Sequence, residues 1–597
     1  MGWRDVRLDF DLASRLAEGS ISESMQRMTK AGSVVCSRRY FRGHRRGGAF
    51  LLTWILKRGI CRYFLLALER AAVPGPAQDP NWSESVSRKL MLLLCVSVPS
   101  FMINLDANIV AVSLSSIAKS LHADFAAIEW VISAYTLAFA TLVMPAGALA
   151  DRFGRKRVLI IGLLVFTIAS FFCGAASSSA VLNVARAVQG VGAALQLSAA
   201  LAVLSHGFQG RERAKAFAFW GSVIGVAIML GPIAGGLITQ VLGWQWAFYV
   251  NLPIGLVMIG ITMTTVEESN DPYANRVDVA GVLTFSGFLG LLTWALILGN
   301  RIGWSSAEIR IQLSGSAAFL IAFLVVEARQ SRPMVDLGMF FKRTYLGANT
   351  AAVSFAVTFL TMLTYLPFFF QSALGYSPFH AGILMLPLVV PLFVVPRIIS
   401  SHLEHRLSGR GMLVLGLLLV AVGLLFTAMC IPRFSYLAIA TPMFVASIGA
   451  GILNGQVVKV GMTVIPVERA GMASGISGAM RFSGVVVGFA ALGAILFQRI
   501  ASSLNQVLPG VDESARVEIT RLIANGNVDS AGVALTSHGA TVQLALQTLA
   551  HGYVSLMLAA SAVGFIAAAI AWLLIDPAET PAHSKATVPV VTGVSID

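Results

Sequence analysis

Long apolar runs alternate with short polar connections along most of the chain. A transmembrane helix needs about 20 mostly apolar residues, and fourteen runs reach roughly that length. These runs cover 90–112, 128–150, 158–177, 180–204, 216–240, 247–265, 279–299, 311–328, 346–371, 380–400, 411–431, 435–456, 473–497 and 553–575. The pattern predicts an all-α membrane protein that crosses the lipid bilayer fourteen times.

Basic residues are concentrated in every second connection. Four of the seven residues in 151–157 are basic, and 205–215 and 329–343 also carry several Lys and Arg residues. The connections near 177–179, 241–246 and 372–379 carry none. Since basic loops stay on the cytoplasmic side, we expect 151–157 and both termini to be cytoplasmic, in the cell's inner (cytoplasmic) membrane.

The composition supports a membrane protein and excludes a soluble enzyme. Apolar residues make up 56% of the 597 residues and charged residues 12%, with a mean hydropathy of +0.77, whereas a soluble domain carries roughly 25% charged residues. More than half of the net charge of +14 lies in residues 1–89. The remaining positive charge is mostly in short loops, so no nucleic-acid partner is expected.

An internal repeat divides the spans into two sets of six. Residues 150–166 read ADRFGRKRVLIIGLLVF, and residues 404–420 read EHRLSGRGMLVLGLLLV. The first copy joins spans two and three, and the second joins spans ten and eleven. Two parallel six-helix bundles around a central cavity are typical of secondary carriers.

The repeat predicts a division of the chain into five parts. Residues 1–88 form a basic extension, either disordered or produced by a start codon placed too early, with a basic membrane-surface helix as the alternative. The remaining parts are an N-terminal six-helix bundle (89–265), two inserted transmembrane helices with their linkers (266–345), a C-terminal six-helix bundle (346–577) and a cytoplasmic tail (578–597). The C-terminal bundle includes an external loop, 498–552, with a short amphipathic helix expected near 511–524.

Asp106 and Arg186 are charged residues inside predicted spans. A carboxylate such as Asp106 in span one costs about 2.5–3.5 kcal/mol near the middle of a membrane. Burial favours the neutral acid and a nearby cation favours the carboxylate, so Asp106 can take and release a proton. Arg186 in span four stays charged and needs an anion nearby, for which Asp106 is the candidate. Gln189, one turn later, extends this polar face. The alternative is a fixed structural ion pair.

The connection between spans two and three, GALADRFGRKR, combines glycines with charges. Glycines allow close backbone approach and tight turns, and Asp151 can cap a helix or pair with a neighbouring Arg. Such a cluster can latch the cytoplasmic face in one conformation; the alternative is simple anchoring by positive charge. The residues are Gly147, Asp151, Arg152, Gly154, Arg155, Lys156 and Arg157.

Span five carries a face made of small residues. The segment GSVIGVAIMLGPIAGG places its glycines within an arc of roughly 140° at about 100° per residue. This face favours very close helix packing, with a kink at the proline; ordinary small-residue packing is the alternative. Its members are Gly221, Gly225, Gly231, Pro232, Gly235 and Gly236.

Other polar and aromatic positions carry weaker predictions. Asn108 in span one, Gln189 in span four and Arg481 in span thirteen are candidates to line a cavity. Trp246, Phe248 and Asn251 lie at the outer entry of span six, where the aromatic residues are most simply read as an interfacial belt.

These segments, in this order, resemble the major facilitator superfamily and its fourteen-span drug:proton antiporter branch of the EmrB/QacA type. GALADRFGRKR looks like the superfamily's signature loop, LNVARAVQGVGAA its fourth-span motif and GSVIGVAIMLGPIAGG its antiporter motif. LDANIVAVS resembles the branch's first-span motif. The resemblance implies alternating access, proton coupling through Asp106, coupling by Arg186 and a span-five face that limits leak.

The chain also departs from the branch's usual pattern. Asn108 stands where the branch usually has Thr, and Ala111 and Ser115 replace a later Asn and Pro. Gln245 replaces an Arg between two tryptophans, and Phe482 replaces a common polar residue. These changes leave Asp106 in place and bear on the range of substrates.

Enzymatic motifs are absent from the sequence. The chain has no Gly-Lys pair and therefore no Walker A loop, and it has no His-Glu-X-X-His and no cysteine spacing for a metal. We therefore expect no enzyme activity, no cofactor and no metal, with the proton gradient as the energy source.

The sequence as a whole predicts a proton-coupled exporter of amphipathic or cationic small molecules. A carrier of a specific metabolite, lipid or siderophore and a non-transporting membrane sensor are the alternatives. A membrane-fusion partner that bridges to an outer membrane is suggested by analogy alone.

Overall fold

The computed structural model describes residues 82–208, 210–270, 278–330, 333, 335–404, 406–466, 470–537 and 541–580. Nearly all of the predicted basic extension and most of the predicted tail lie outside these residues. The described part of the chain is built of helices, with no strand.

The helices are numbered in chain order. They are α1 (Trp82–Ser120), α2 (Phe125–Phe153), α3 (Arg155–Gly174), α4 (Ser179–Gly207), α5 (Gly210–Val241), α6 (Trp246–Tyr249), α7 (Asn251–Thr265), α8 (Val279–Ile302), α9 (Ala307–Arg329), α10 (Arg343–Phe355), α11 (Met362–Ser372), α12 (Pro378–Leu384), α13 (Leu386–His402), α14 (Gly409–Cys430), α15 (Tyr436–Met462), α16 (Ala470–Val507), α17 (Glu513–Ala524), α18 (Val528–Thr536) and α19 (Val542–Leu574). A π-helical turn, Ala356–Leu360, lies between α10 and α11.

The predicted fold class is confirmed, with one span built differently from expectation. Among the described residues, thirteen helical stretches are long and apolar enough to cross a membrane, and α12 with α13 makes a fourteenth if the pair is counted as one span. That pair is bent by 44°. The break falls just before Pro387, which has no N–H group to continue the helical hydrogen bonds.

The repeated segments occupy equivalent places in the two halves. Arg155 N–H, at the start of α3, donates to Ser269 O over 2.9 Å, and Gly409 N–H, at the start of α14, donates to Thr580 O over 2.9 Å. These two donors align in the repeat found in the sequence. In each half, a residue just after the last span therefore accepts a hydrogen bond from the start of the helix that comes after the repeated turn.

The two inserted helices lie beside the line where the halves meet. Helix α8 packs against α2 of the first half and α16 of the second, and α9 packs mainly on α8. The Trp294 ring lies edge-on to Trp130 of α2 at 6.0 Å between centroids. The insertion thus covers one side of the junction between the bundles.

We call the face that holds residues 151–157 the basic face, and the opposite face the far face. At the far face, the two halves are joined by hydrogen bonds. Ser115 of α1 donates to Gln371 Oε1 of α11 over 2.5 Å, and Gln371 Nε2 donates to Val112 O over 2.9 Å. The described conformation is therefore closed at the far face.

The predicted external loop covers this closed junction. Its first helix, α17, matches the short helix expected from the sequence, whereas α18 was not predicted. Asn525 at the end of α17 donates from Nδ2 to Ala123 O, just before α2, over 3.2 Å. Gly526 lies against Phe368 and Ser372 of α11. The loop thus contacts both halves.

The glycine face of α5 also lies at the junction. A Cβ on Gly235 would come within 2.8 Å of the Ile109 Cα atom of α1, and a Cβ on Gly236 would overlap the Pro378 carbonyl of α12. Gly221, on the same helix, has no atom within 4 Å of its Cβ position. The glycines nearer the far face therefore allow α5 to contact both the first helix and the other half.

Replacing Gly236 by Ala is expected to lower the stability of the closed junction. The added methyl meets backbone atoms of α12, and overpacking of this kind costs about 1–3 kcal/mol. Gly221→Ala is the matched control, because it adds a methyl in open space and gains up to about 1 kcal/mol of helix propensity. Thermal unfolding of both purified variants in detergent measures the difference, and equal melting temperatures would contradict the proposed packing.

Candidate functional site

Asp106 and Arg186 form an ion pair inside the N-terminal bundle. Arg186 Nη1 lies 2.6 Å from Asp106 Oδ2, and their side chains are 1% and 0% exposed. Asp106 lies in the middle part of α1 and Arg186 in α4, so the pair joins two helices across the bundle. The structure thus brings together two of the charged residues that the sequence placed inside spans.

Two amides complete the hydrogen bonding of the Asp106 carboxylate. Oδ1 of Asp106 accepts from Gln189 Nε2 of α4 and from Asn251 Nδ2 of α7, each over 2.9 Å. Gln189 Nε2 also donates to Ser170 Oγ of α3 over 2.8 Å. With Arg186, the carboxylate accepts three hydrogen bonds, and a buried charge needs such compensation to be tolerated.

The Arg186 guanidinium has partners besides the carboxylate. Its Nε donates to Val131 O of α2 over 3.0 Å, and Nη1 donates to Gln189 Oε1 over 2.6 Å. Its central carbon lies 4.1 Å from the centroid of the Tyr135 ring and 5.8 Å from that of Phe248. The cation is thus held by an anion, by polar oxygens and by aromatic faces.

The interpretation of the aromatics at the entry to span six as an interfacial belt was wrong for Phe248. Trp246 is 48% exposed, as a belt residue would be, but Phe248 and Asn251 are fully buried. Both belong to the Asp106–Arg186 network. The role of Asn251 in this network was missed. The signal that could have shown it is a polar residue at the entry to an apolar span. Ser170 and Tyr135 were also missed, because their side chains are common in ordinary spans.

The predicted gating loop is held by hydrogen bonds to other residues of the N-terminal half. Asp151 Oδ1 accepts from Arg155 Nε over 3.0 Å and from Nη2 over 2.9 Å. The backbone N–H groups of Lys156 and Arg157 each donate to the Glu268 carboxylate over 3.2 Å. An anion at the first turn of α3 is favoured by the free N–H groups and the helix dipole.

Gly154 makes room for this carboxylate. Its φ of 109° lies in the region that favours glycine, and a Cβ there would come within 2.5 Å of Glu268 Oε1. Of the other residues in the loop, Arg152 stacks on Phe153 at 5.3 Å, and Gly147 has nothing within 4 Å of its Cβ position. Glu268 was not predicted, because it is 112 residues from Lys156 in the sequence.

Asn108 and Arg481 lie outside the network around Asp106. Asn108 donates to Asn104 O of its own helix over 2.7 Å and packs against Gly231 of α5. The Arg481 guanidinium lies 5.6 Å from the centroid of the Phe355 ring in the C-terminal half. The neighbouring Phe482 instead contacts the first half, through an edge-on contact with Phe139.

An apolar cavity of about 400 Å³ opens beside the junction of the halves. It lies between α2, α16 and the inserted helices α8 and α9. Its lining includes Met144, Phe285, Phe323, Ile476 and Met480. The absence of charged residues from this lining makes the cavity suited to the apolar part of a ligand.

A family model described as the Major Facilitator Superfamily matches residues 96–489. The chain belongs to the major facilitator superfamily. In this major facilitator protein, the matched region includes the Asp106–Arg186 network, the loop 147–157 and the glycine face of α5.

The relatives of this major facilitator protein include named resistance and export proteins. Multidrug resistance protein Stp of Mycobacterium tuberculosis is 36% identical over 70% of this chain and 77% of its own length. The tetracenomycin C resistance and export protein of Streptomyces glaucescens is 30% identical over 80% of this chain and 90% of its own length.

Solved structures support the fold of this major facilitator protein. A bacterial homologue of the human lysosomal transporter Spinster, in an inward-facing and occupied conformation, superposes with a TM-score of 0.56. It is 15% identical and covers 85% of this chain and 99% of its own. At this identity, the likeness concerns the architecture of the helices.

Asn251→Ala is expected to destabilise this major facilitator protein by about 1.5–3 kcal/mol, the usual range for a hydrogen bond to a charged group. Stability is lost because the Asp106 carboxylate remains buried but has one hydrogen-bond donor fewer. Asn104→Ala is the control, since Asn104 Nδ2 donates to the Ser100 carbonyl of its own helix. Denaturant unfolding of the purified variants measures both effects. A smaller loss for Asn251→Ala than for Asn104→Ala would contradict this account of the network.

Proposed function

We propose that this chain is a proton-coupled secondary transporter that exports amphipathic or cationic small molecules by alternating access. The observation that carries the proposal is the fully buried Asp106–Arg186 pair, in a protein whose relatives bear the names of drug resistance and export proteins. Within the superfamily, the inserted helices α8 and α9 favour the fourteen-span drug:proton antiporter branch.

Asp106 is the group that exchanges the proton. In its ionised form, the carboxylate is held by Arg186, Gln189 and Asn251. A proton on Asp106 removes the negative charge, weakens the pair with Arg186 and leaves a buried cation that must find other partners. The two protonation states therefore favour different arrangements of α1 and α4.

Helix α1 links this event to the junction of the halves. Asn108 and Ile109, within one turn of Asp106, contact the glycines of α5. Ser115 and Val112, farther along α1, hydrogen-bond to Gln371 of the other half. A small movement of α1 on protonation is transmitted along this rigid helix to the far-face contacts, where the halves must separate for export.

The orientation of the protein in the membrane follows from the distribution of basic residues. The basic face is the cytoplasmic one, both termini are cytoplasmic, and the protein resides in the inner membrane of the cell. Protons enter from the far face and substrate leaves through it. The apolar cavity beside the junction supports an amphipathic substrate, whose apolar part it can hold.

Ethidium accumulation in efflux-deficient cells tests this proposal. We expect the wild-type chain to lower accumulation, and we expect Asp106→Asn and a protonophore each to restore the level of cells without the protein. Glu267→Gln is the matched acid-to-amide control, because Glu267 is exposed on the basic face and pairs with Arg88.

Each outcome of this experiment is informative once the variants are found in the membrane at equal levels. Full export by Asp106→Asn would exclude Asp106 as the coupling group. Export that resists the protonophore would exclude proton coupling. If the wild-type chain leaves ethidium accumulation unchanged, broad export of cationic drugs is contradicted.

A further inference from the structure

Besides Asp106, the described residues include a buried carboxyl group at the far-face end of α2 that the coupling site does not use. Glu129 is 2% exposed and lies five residues after Asp124, the N-cap of α2. At 1.5 Å per residue, it is about 7.5 Å inside the helix from the far face. Among the described residues, no Lys, Arg or His forms an ion pair with it.

The surroundings of Glu129 belong to the opposite half of the molecule. Its carboxyl group contacts the Tyr365 hydroxyl of α11 and lies against Gly493 of α16. A Cβ on Gly493 would overlap Oε1 of Glu129. Only a residue without a side chain at 493 therefore leaves space for this carboxyl group when the halves are together.

The hydrogen bonds available to Glu129 favour its neutral form. Oε1 has no hydrogen-bond partner among the described residues. The Tyr365 hydroxyl donates its proton to Phe489 O over 2.6 Å, so it is left to act as an acceptor toward Glu129. A protonated carboxyl group can donate to that oxygen, whereas a carboxylate would stay charged and poorly paired in an apolar site.

The helices packed around Glu129 provide no nearby compensating charge. Arg186 of α4 is engaged by Asp106, and Arg499, farther along α16, is exposed. Tyr553 of α19 donates to the Tyr365 carbonyl over 3.1 Å and adds no cation. Besides Glu129, the titratable groups on α2, α4, α11, α16 and α19 are Tyr135, Asp151, Arg152, Arg186, His206, Tyr365, Arg481, Arg499, His551 and Tyr553, and Asp106 lies on α1.

We propose that Glu129 is a second proton-binding site, and that its protonation holds the two halves closed at the far face. Separation of α2 from α11 and α16 exposes the carboxyl group to water, where it releases its proton. The resulting carboxylate then opposes closure until a proton returns. The proposal rests on the proposed function for its role in transport, but the conformational linkage can be measured without any substrate.

The sign of the linkage is fixed by this geometry. The closed state binds one proton more than the open state at Glu129, so acid favours closure and alkali favours opening. For a single proton, the ratio of closed to open molecules changes by up to about tenfold per pH unit. Asp106 lies on another helix and provides a separate response.

Spin labels on the two halves measure this equilibrium in the full-length protein reconstituted in lipid. Lys119, at the far-face end of α1, and Tyr376, after α11, are exposed and are replaced by cysteine in a chain whose five native cysteines are removed. We expect the short-distance population of this background chain to fall as the pH is raised. Glu129→Gln, which mimics the protonated acid, is expected to lose the part of this fall that Glu129 causes and to keep only the separate response of Asp106. Asp106→Asn should retain the part of the fall that Glu129 causes.

A pH response of Glu129→Gln equal to that of the background chain would overturn the proposal, as would a background chain whose distance does not change with pH. Tyr365→Phe provides a second test if Glu129→Gln does not fold, since it keeps the ring and removes the acceptor for the protonated acid. We expect the short-distance population of Tyr365→Phe to fall at a lower pH than that of the background chain. If it falls at the same pH, the proposal is contradicted. If the chain does not export ethidium but its distances still respond to pH in this way, the proposed function is contradicted and the proposal for Glu129 stands.

Discussion

The fold of the N-terminal half depends on one constraint, which is that a permanent cation is buried in an apolar bundle. Arg186 cannot lose its charge, so the helices around it must supply an anion, polar oxygens and aromatic faces at the same point. Asp106 comes from α1, Val131 and Tyr135 from α2, and Phe248 from α6. The requirement to surround this one charge fixes how these helices pack.

The same constraint makes the site responsive. A purely apolar contact between α1 and α4 would not change with protonation, whereas the interaction of Asp106 with Arg186 depends on the charge of the carboxyl group. Helix α1 then carries a change at Asp106 toward Ser115 and its contact with Gln371. A charge change inside one bundle thereby reaches the surface that this bundle shares with the other.

The two faces of the molecule are stabilised in different ways. At the basic face, the ion pairs of the described residues join elements of the same half, as Lys89 does with Glu212 and Lys459 with Glu404. At the far face, hydrogen bonds and close glycine packing join one half to the other. Separation of the halves at the far face therefore breaks neutral and tightly packed contacts, and it exposes the buried Glu129.

The sequence by itself determined the class of fold, the approximate spans, the repeat and the residues Asp106, Arg186 and Gln189, because charges and amides in long apolar runs stand out. Only the tertiary structure decided which groups complete the site. Asn251 reaches Asp106 from another helix, Ser170 accepts a hydrogen bond from Gln189, and Glu268 caps α3 from a distant segment. The environment of Glu129 comes from the other half of the chain. Such contacts depend on how helices distant in sequence pack together, and apolar periodicity carries no information about that packing.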